Sequence, residues 1–350
     1  MKKTTFPRRL LLPLVPAYRL ALLLREVGLR TGLEPVWRLR FPVVSIGSLS
    51  AGGAGKTPLT IALAKALDRR GLRVDVLSRG YGRALSNPAQ RAARVAPDGT
   101  AEEFGDEPLL IARETGVPVY VAAERYDAGL LAEAEAPEGS STVHLLDDGF
   151  QHRQLHRDVD ILLLDHCDWL DGLLPAGNLR EPMRAARRAT VIAVPAGNPE
   201  FEAALRGWGW QGPVWRLHRK MEVPAPPGHE AGSVLAFCGI ARPEQFFAGL
   251  EAAGLKIVVR LAFPDHHRYT TADLKRLIAV ARNAGAAALI TTEKDQVRLG
   301  KLSASFPESL PLKTARLRVE IEKQEEALDW LVERIGQPAT VNTSGRLLRK

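Results

Sequence analysis

Cysteine is nearly missing from this chain. Its two cysteines, Cys167 and Cys238, stand far apart and without metal-ligand spacing. That scarcity excludes a disulfide framework and a thiolate zinc site, and a reducing compartment is the natural setting. Long hydrophobic runs are also missing. The longest uncharged run near the N-terminus, Leu10 to Tyr18, is nine residues and contains Pro13 and Pro16, whereas a spanning helix needs about 20 apolar residues. No small-residue cleavage site of a secretory signal is present, and there is no internal repeat or low-complexity tract. A broad excess of positive charge is absent as well. Of the net +8, residues 1–40 carry +7, from nine basic against two acidic side chains, and the other 310 residues carry +1. No broad nucleic-acid-binding face is expected, and no obligatory protein partner is implied.

What remains is a globular composition, 45% hydrophobic and 25% charged, with a length that suggests about two domains. The N-terminal segment, residues 1–30, mixes its cations with leucines. From Pro16 onward, Leu20, Leu23, Leu24 and Val27 fall on one helical face, with Arg19, Glu26 and Arg30 away from it. Such a helix can lie in the headgroup region of an anionic membrane. It can equally pack on the domain core, and both readings can hold for different faces.

The most informative stretch is Phe41-Pro-Val-Val-Ser-Ile-Gly-Ser-Leu-Ser-Ala-Gly-Gly-Ala-Gly-Lys-Thr-Pro58. An apolar strand runs into a small-residue loop, Ser50, Ala51, Gly52, Gly53, Ala54 and Gly55, and Lys56-Thr57 opens a helix. That order is what a phosphate-binding P-loop requires. Backbone N–H groups close around phosphate oxygens, and the helix N-terminus adds a favourable dipole. Lys56 can reach the β- and γ-phosphates and Thr57 can hold Mg²⁺. The strict pattern has glycine where this chain has Ser50.

Beyond it, helix Thr57–Arg70 alternates with strand-like runs at 72–78, 118–122, 142–146, 160–165 and 189–194. Short β-branched or leucine-rich runs separated by helices predict a parallel sheet covered on both faces. Residues 213–230, with Pro224, Pro226 and Pro227, read as a linker. A second α/β block follows, with strands at 233–237, 256–261 and 287–291, helices at 243–253 and 271–284, and a closing helix over 322–335. The expected units are 1–30, 31–220, 221–338 and a polar basic tail at 339–350.

Several loops carry chemistry. Asp147-Asp148-Gly149-Phe150-Gln151-His152 follows a strand directly, where a P-loop protein places its Mg²⁺-binding acid. Two adjacent acids repel unless a cation sits between them. Gly105-Asp106-Glu107-Pro108 precedes a helix, where Asp106 is an N-cap or a catalytic carboxylate facing the γ-phosphate. Phe263-Pro264-Asp265-His266-His267 offers a metal pair, or a base with an orienting partner. Ser78-Arg-Gly-Tyr-Gly82, Gly177-Asn-Leu-Arg-Glu-Pro182 and Thr291-Thr-Glu-Lys-Asp295 are further loops after strand-like runs.

Taken in order, these motifs resemble the tetraacyldisaccharide 4′-kinase (lipid A 4′-kinase) family over roughly residues 10–335. The resemblance implies a P-loop domain joined by a short hinge to a smaller α/β domain. It implies transfer of phosphate from ATP, with Mg²⁺, to the 4′-hydroxyl of a tetraacyl glucosamine disaccharide 1-phosphate. It also implies a peripheral enzyme on the cytoplasmic face of the bacterial inner membrane, whose partners are an amphiphilic glycolipid and an anionic membrane surface. Through it, Asp106 is the expected base and His266 its partner, with Lys56 at the phosphates. Asp147, Asp148 and Thr57 are expected near the metal, and Lys294 on the nucleotide side. Tyr81, Glu107, Gln151, His152, Arg180, Glu181 and Asp265 are expected at or around the substrate. Two rival readings are a P-loop GTPase or metallochaperone-type switch with a histidine-rich metal site, and a nucleotide-regulated membrane module without catalysis. Thr292-Glu-Lys-Asp295 matches a guanine-reading loop only loosely.

Overall fold

The computed structural model describes residues 8–53, 55–80, 91–224 and 233–336. Ala54, Tyr81, Pro226, Pro227, the first seven residues and the expected tail lie outside the described residues. Among the described residues, twelve strands form one sheet: β1 (Val43–Ser48), β2 (Arg73–Ser78), β3 (Ala92–Arg94), β4 (Val119–Ala122), β5 (Thr142–Asp147), β6 (Val159–Leu163), β7 (Val191–Pro195), β8 (Val214–Glu222), β9 (Val234–Cys238), β10 (Ile257–Ala262), β11 (Ala288–Thr292) and β12 (Leu312–Ile321). Their order is β10-β9-β11-β12-β8-β7-β6-β1-β5-β2-β4-β3. The helices are α1 (Val15–Thr31), α2 (Lys56–Arg69), α3 (Ala101–Phe104), α4 (Asp106–Thr115), α5 (Arg125–Ala134), α6 (His166–Trp169), α7 (Pro199–Gly207), α8 (Pro243–Ala252), α9 (Thr271–Asn283), α10 (Glu293–Leu299) and α11 (Gln324–Gly336).

β1 lies between β5 and β6, parallel to both. Every residue of β1, β5 and β6 is buried, as expected of strands covered on both faces and rich in Val, Leu and Ile. One face packs Val44, Ile46, Val143 and Leu145 against Leu59, Leu63 and Leu67 of α2. The other packs Leu49, Phe150 and Leu162 under Phe201 and Leu205 of α7. The second block has its own core, with Leu235 and Phe237 of β9 against Leu274 and Leu277 of α9. That helix is fixed by a capping box, Thr270 with Asp273.

The described first part of the expected linker at 213–230 is strand, β8, over Val214–Glu222. β8 pairs parallel with β7 through Val214–Leu217. It then pairs antiparallel with β12, from Leu217↔Ile321 to Glu222↔Arg316. Trp215 and Leu217 are buried between the exposed Arg216 and His218, an alternation that the charges and following prolines obscure in the sequence. β12, unanticipated from sequence, starts beside β11 and runs on to meet β8. Both strands overshoot the carboxyl ends of their neighbours in opposite directions. The ribbon they form therefore turns the loop-bearing edges of the two blocks toward each other.

Candidate active site

The site is assembled at those facing edges, where open α/β sheets place their ligands. After β1 the chain bends through Gly52, Gly53 and Gly55, all at positive φ, and α2 starts at Lys56. The Gly177–Glu181 loop seats this turn. The Asn178 carbonyl accepts the Ala51 N–H at 2.8 Å and the Leu49 carbonyl accepts the Arg180 N–H at 2.7 Å. The Arg180 guanidinium donates to the Ser50 carbonyl at 3.1 Å. Ser50 thus meets this loop through its backbone carbonyl. Thr57 is buried in the first turn of α2.

The acid pair follows β5. Gly47 leaves room for it: a Cβ there would lie 2.4 Å from Phe150 Cβ. Asp148 has φ 50, a left-handed conformation costing about 1 kcal/mol or more for a non-glycine residue. That turn aims its carboxylate at cations. Both its oxygens accept from Arg180 at 3.0 Å, and Lys56 Nζ is 3.4 Å from Oδ1. Burial would raise the Asp148 carboxyl, but Lys56 and Arg180 outweigh it and hold it below the usual range. Asp147 differs. It accepts from Thr60 Oγ1 at 2.9 Å, and burial, then the neighbouring Glu107 and Asp148 charges, push its carboxyl up to about 7. A dication beside Asp147 would restore its charge. Asp147, Asp148 and Thr57 therefore fit a hard, oxygen-liganded metal such as Mg²⁺.

Across the cleft, the loop after β10 carries His266, at φ 57. Its Nδ1 lies 3.1 Å from Asp106 Oδ2, although the two are 160 residues apart. The vicinal pair divides its work. His267 Nε2 lies 3.2 Å from Asp273 Oδ2 and its ring stacks on Phe263, so it braces the α9 cap. Asp106 is the first residue of α4, behind Gly105 as N-cap, and its side chain is 6% exposed. Burial would raise its carboxyl, but the His266 hydrogen bond and the Arg298 and Lys294 charges win and hold it well below the usual carboxylate range. The same hydrogen bond raises His266 above its ordinary value against the effect of burial.

The remaining expected residues distribute as follows. Glu107 pairs with Lys294, and Asp147 feels the charges of both, so Lys294 lies between the acid pair and Asp106. Gln151 Nε2 donates to the Ser48 carbonyl at 3.0 Å. His152 is pushed down to about 4 by burial and then by Arg125 and Arg157. Asp265 accepts the His266 N–H at 3.1 Å and lies 4.0 Å from the ring. Glu181 binds Arg188 at 2.7 Å. Three further arginines join the site. Arg298 of α10 contacts Asp106 and Asp295. Arg219 of β8 and Arg242 before α8 lie over the P-loop: Cβ atoms built on Gly55 and Gly53 would come within 3.2 Å of Arg219 Nη2 and 2.7 Å of Arg242 Cδ. None stands in a recognisable motif. Among the described residues, no group of three or more His, Cys, Asp or Glu is arranged to hold a metal ion.

A P-loop, an adjacent acid pair and an Asp–His pair meeting across a cleft define a phosphotransferase of the P-loop class. The comparisons narrow the class. The family model for tetraacyldisaccharide-1-P 4′-kinase matches residues 7–336. A tetraacyldisaccharide 4′-kinase from Koribacter versatilis is 41% identical over 303 residues, 84% of this chain and 89% of that protein. One from Rhodopseudomonas palustris is 37% identical over 338 residues, 95% of this chain and 94% of that protein. The crystal structure of LpxK from Aquifex aeolicus in complex with ATP superposes with a TM-score of 0.72 at 33% identity, covering 94% of this chain and 99% of that one. The chain belongs to the tetraacyldisaccharide-1-P 4′-kinase family.

Proposed function

We propose that the chain moves the γ-phosphoryl group of ATP to the 4′-hydroxyl of a tetraacylated glucosamine disaccharide 1-phosphate, forming the 4′-phosphorylated lipid A precursor. The observation that carries this reading is the contact of Asp106 with His266 across the two blocks, beside the acid pair and P-loop. A sugar hydroxyl must lose its proton during attack. Asp106, kept ionised by its neighbours, accepts it, and His266 shares it through the hydrogen bond already in place. Lys56 and the N–H groups at the start of α2 neutralise charge on the transferring phosphoryl group. Mg²⁺, held by Thr57 and the Asp147–Asp148 pair, would supply further charge neutralisation. Gln151, Arg180 and Asp265 steady these groups from behind.

The amphiphilic substrate brings a membrane into the reading. No described helix is long and apolar enough to cross one. Instead α1 docks one face on the P-loop block and presents the other outward, so we place the enzyme peripherally on an anionic inner-membrane surface, on its cytoplasmic side. Incubation with ATP, Mg²⁺ and the disaccharide 1-phosphate, followed by mass analysis, should give a product with one added phosphate. GTP in place of ATP should support little product. Nucleotide hydrolysis without a phosphorylated lipid would sink the assignment.

A further inference from the structure

Arg298 Nε donates to Asp106 Oδ2 at 2.6 Å, and Nη2 also reaches that oxygen while lying 3.4 Å from His266 Nδ1. Nη1 donates to the Gly239 carbonyl and, at 3.1 Å, to Asp295 Oδ1. The guanidinium is held from behind, because Asp295 is itself fixed. It accepts from Tyr269 Oη at 2.9 Å, the Gly239 N–H at 3.0 Å and Thr292 Oγ1 at 2.6 Å. The Gly239 carbonyl also accepts the His266 N–H at 3.1 Å, so Arg298 and His266 hang from one backbone atom and converge on one carboxylate oxygen. The other oxygen, Oδ1, takes the Glu107 N–H at 3.0 Å. One turn earlier on α10, Lys294 pairs with Glu107. Two cations of α10 thus grip two adjacent acids of α4.

We propose that Arg298 is a positioning residue, holding the Asp106 carboxylate on His266 so that the pair is assembled only while α10 is docked on α4. The proposal rests on the assignment of Asp106 and His266 as the proton-handling pair. An arginine suits the task because its planar fork serves Asp106, Asp295 and Gly239 together, which an ammonium does not. The charged groups facing Asp106 are His266, Arg298 and Lys294, with Glu107 adjacent; those facing His266 are Asp106, Asp265 and Arg298. Removing Arg298 subtracts a cation from the pair, which then takes up a proton at higher pH.

The test compares wild type with R298M and R298K by steady-state kinetics across pH, with thermal melts as the folding control. R298M should lower kcat about tenfold or more at neutral pH, leave the KM for ATP within about twofold, and move the acid limb of the kcat profile up by about one pH unit. R298K should return the limb to its wild-type position with partial recovery of kcat. A folded R298M with wild-type kcat, or with lowered kcat but an unmoved limb, overturns the proposal. Should R298M not fold, R298K decides: a severalfold lower kcat at unchanged ATP KM supports it, and wild-type kcat overturns it. Wild-type protein without lipid product refutes the kinase reading itself, and with it the pair on which Arg298 acts.

Discussion

In the proposed reaction Asp106 and His266 handle the proton, and their contact sets two expectations. Asp106→Ala should cut kcat by about 10²–10⁴-fold, the share of a general base, with the KM for ATP little changed; steady-state kinetics with ATP varied measures both. Near-wild-type turnover would remove Asp106 from the mechanism. The second concerns pH. The folded pKa of His266 is raised by Asp106, so its stabilising contribution is fully present below about 6.5, the unfolded value, and fades as pH rises through the folded value. Asp106, held low, stays ionised through that window. Wild type should therefore exceed His266→Gln in urea midpoint most at about pH 6 and least near pH 9, and a gap independent of pH would contradict the pairing. Which histidine faces the site is not legible in Asp265-His266-His267, since adjacent residues of one loop share every local signal. The φ of 57 at His266 and the Phe263 stack at His267 settle it. Arg298 is equally silent in sequence; its one trace is the spacing of Lys294 and Arg298 on a single helical face after Thr291-Thr-Glu-Lys-Asp295.

Among the elements, those with strong local periodicity or a turn signal are legible in sequence. The P-loop, α2, β5 and α9 fall within a residue or two of their expected bounds. β8 and β12 are harder to read, because each changes partner midway and is buried only in places. α1 shows an amphipathic helix serving two surfaces. Val15, Tyr18 and Leu22 pack toward the Leu49–Phe150 core, Tyr18 Oη donates to the Arg180 carbonyl at 2.8 Å and Arg25 to the Gln151 carbonyl at 2.6 Å. Leu20, Leu23, Leu24 and Val27 remain 57%, 48%, 64% and 53% exposed. The helix thus ties the outward apolar stripe to two site motifs. Serine at all four exposed positions removes about 1 kcal/mol or more of membrane burial per residue. Binding to vesicles containing anionic lipid should weaken at least about tenfold, while the melting temperature stays near wild type. Unchanged partitioning in a sedimentation assay would make the stripe irrelevant to membranes.

At the scale of the whole molecule, the β8–β12 ribbon decides where function can be built. Had the second block continued the first sheet in parallel, its carboxyl-end loops would lie alongside the P-loop edge rather than opposite it. Because β12 meets β8 antiparallel, the loops after β9, β10 and β11 face that edge, and Gly239, His266 and Lys294 arrive there from a separate hydrophobic core. Arg219 and Arg242 belong to this closure. One lies on the ribbon and the other opens α8, yet both reach the P-loop glycines. Cations above a triphosphate-binding turn, supplied by the ribbon and by the start of α8, would neutralise phosphate charge only while those elements stay docked over it. Arg242→Met should therefore raise the KM for ATP about tenfold or more, the loss of a charge-assisted hydrogen bond of roughly 1.5–3 kcal/mol, and leave the KM for the lipid substrate near wild type. Arg219→Met should act in the same direction. If each variant keeps the wild-type ATP KM across a range of ionic strength, these arginines serve the packing of the blocks and not the nucleotide. Asp106 would then still tie the second block to the P-loop edge, through His266 and Arg298, beside the Lys294–Glu107 pair.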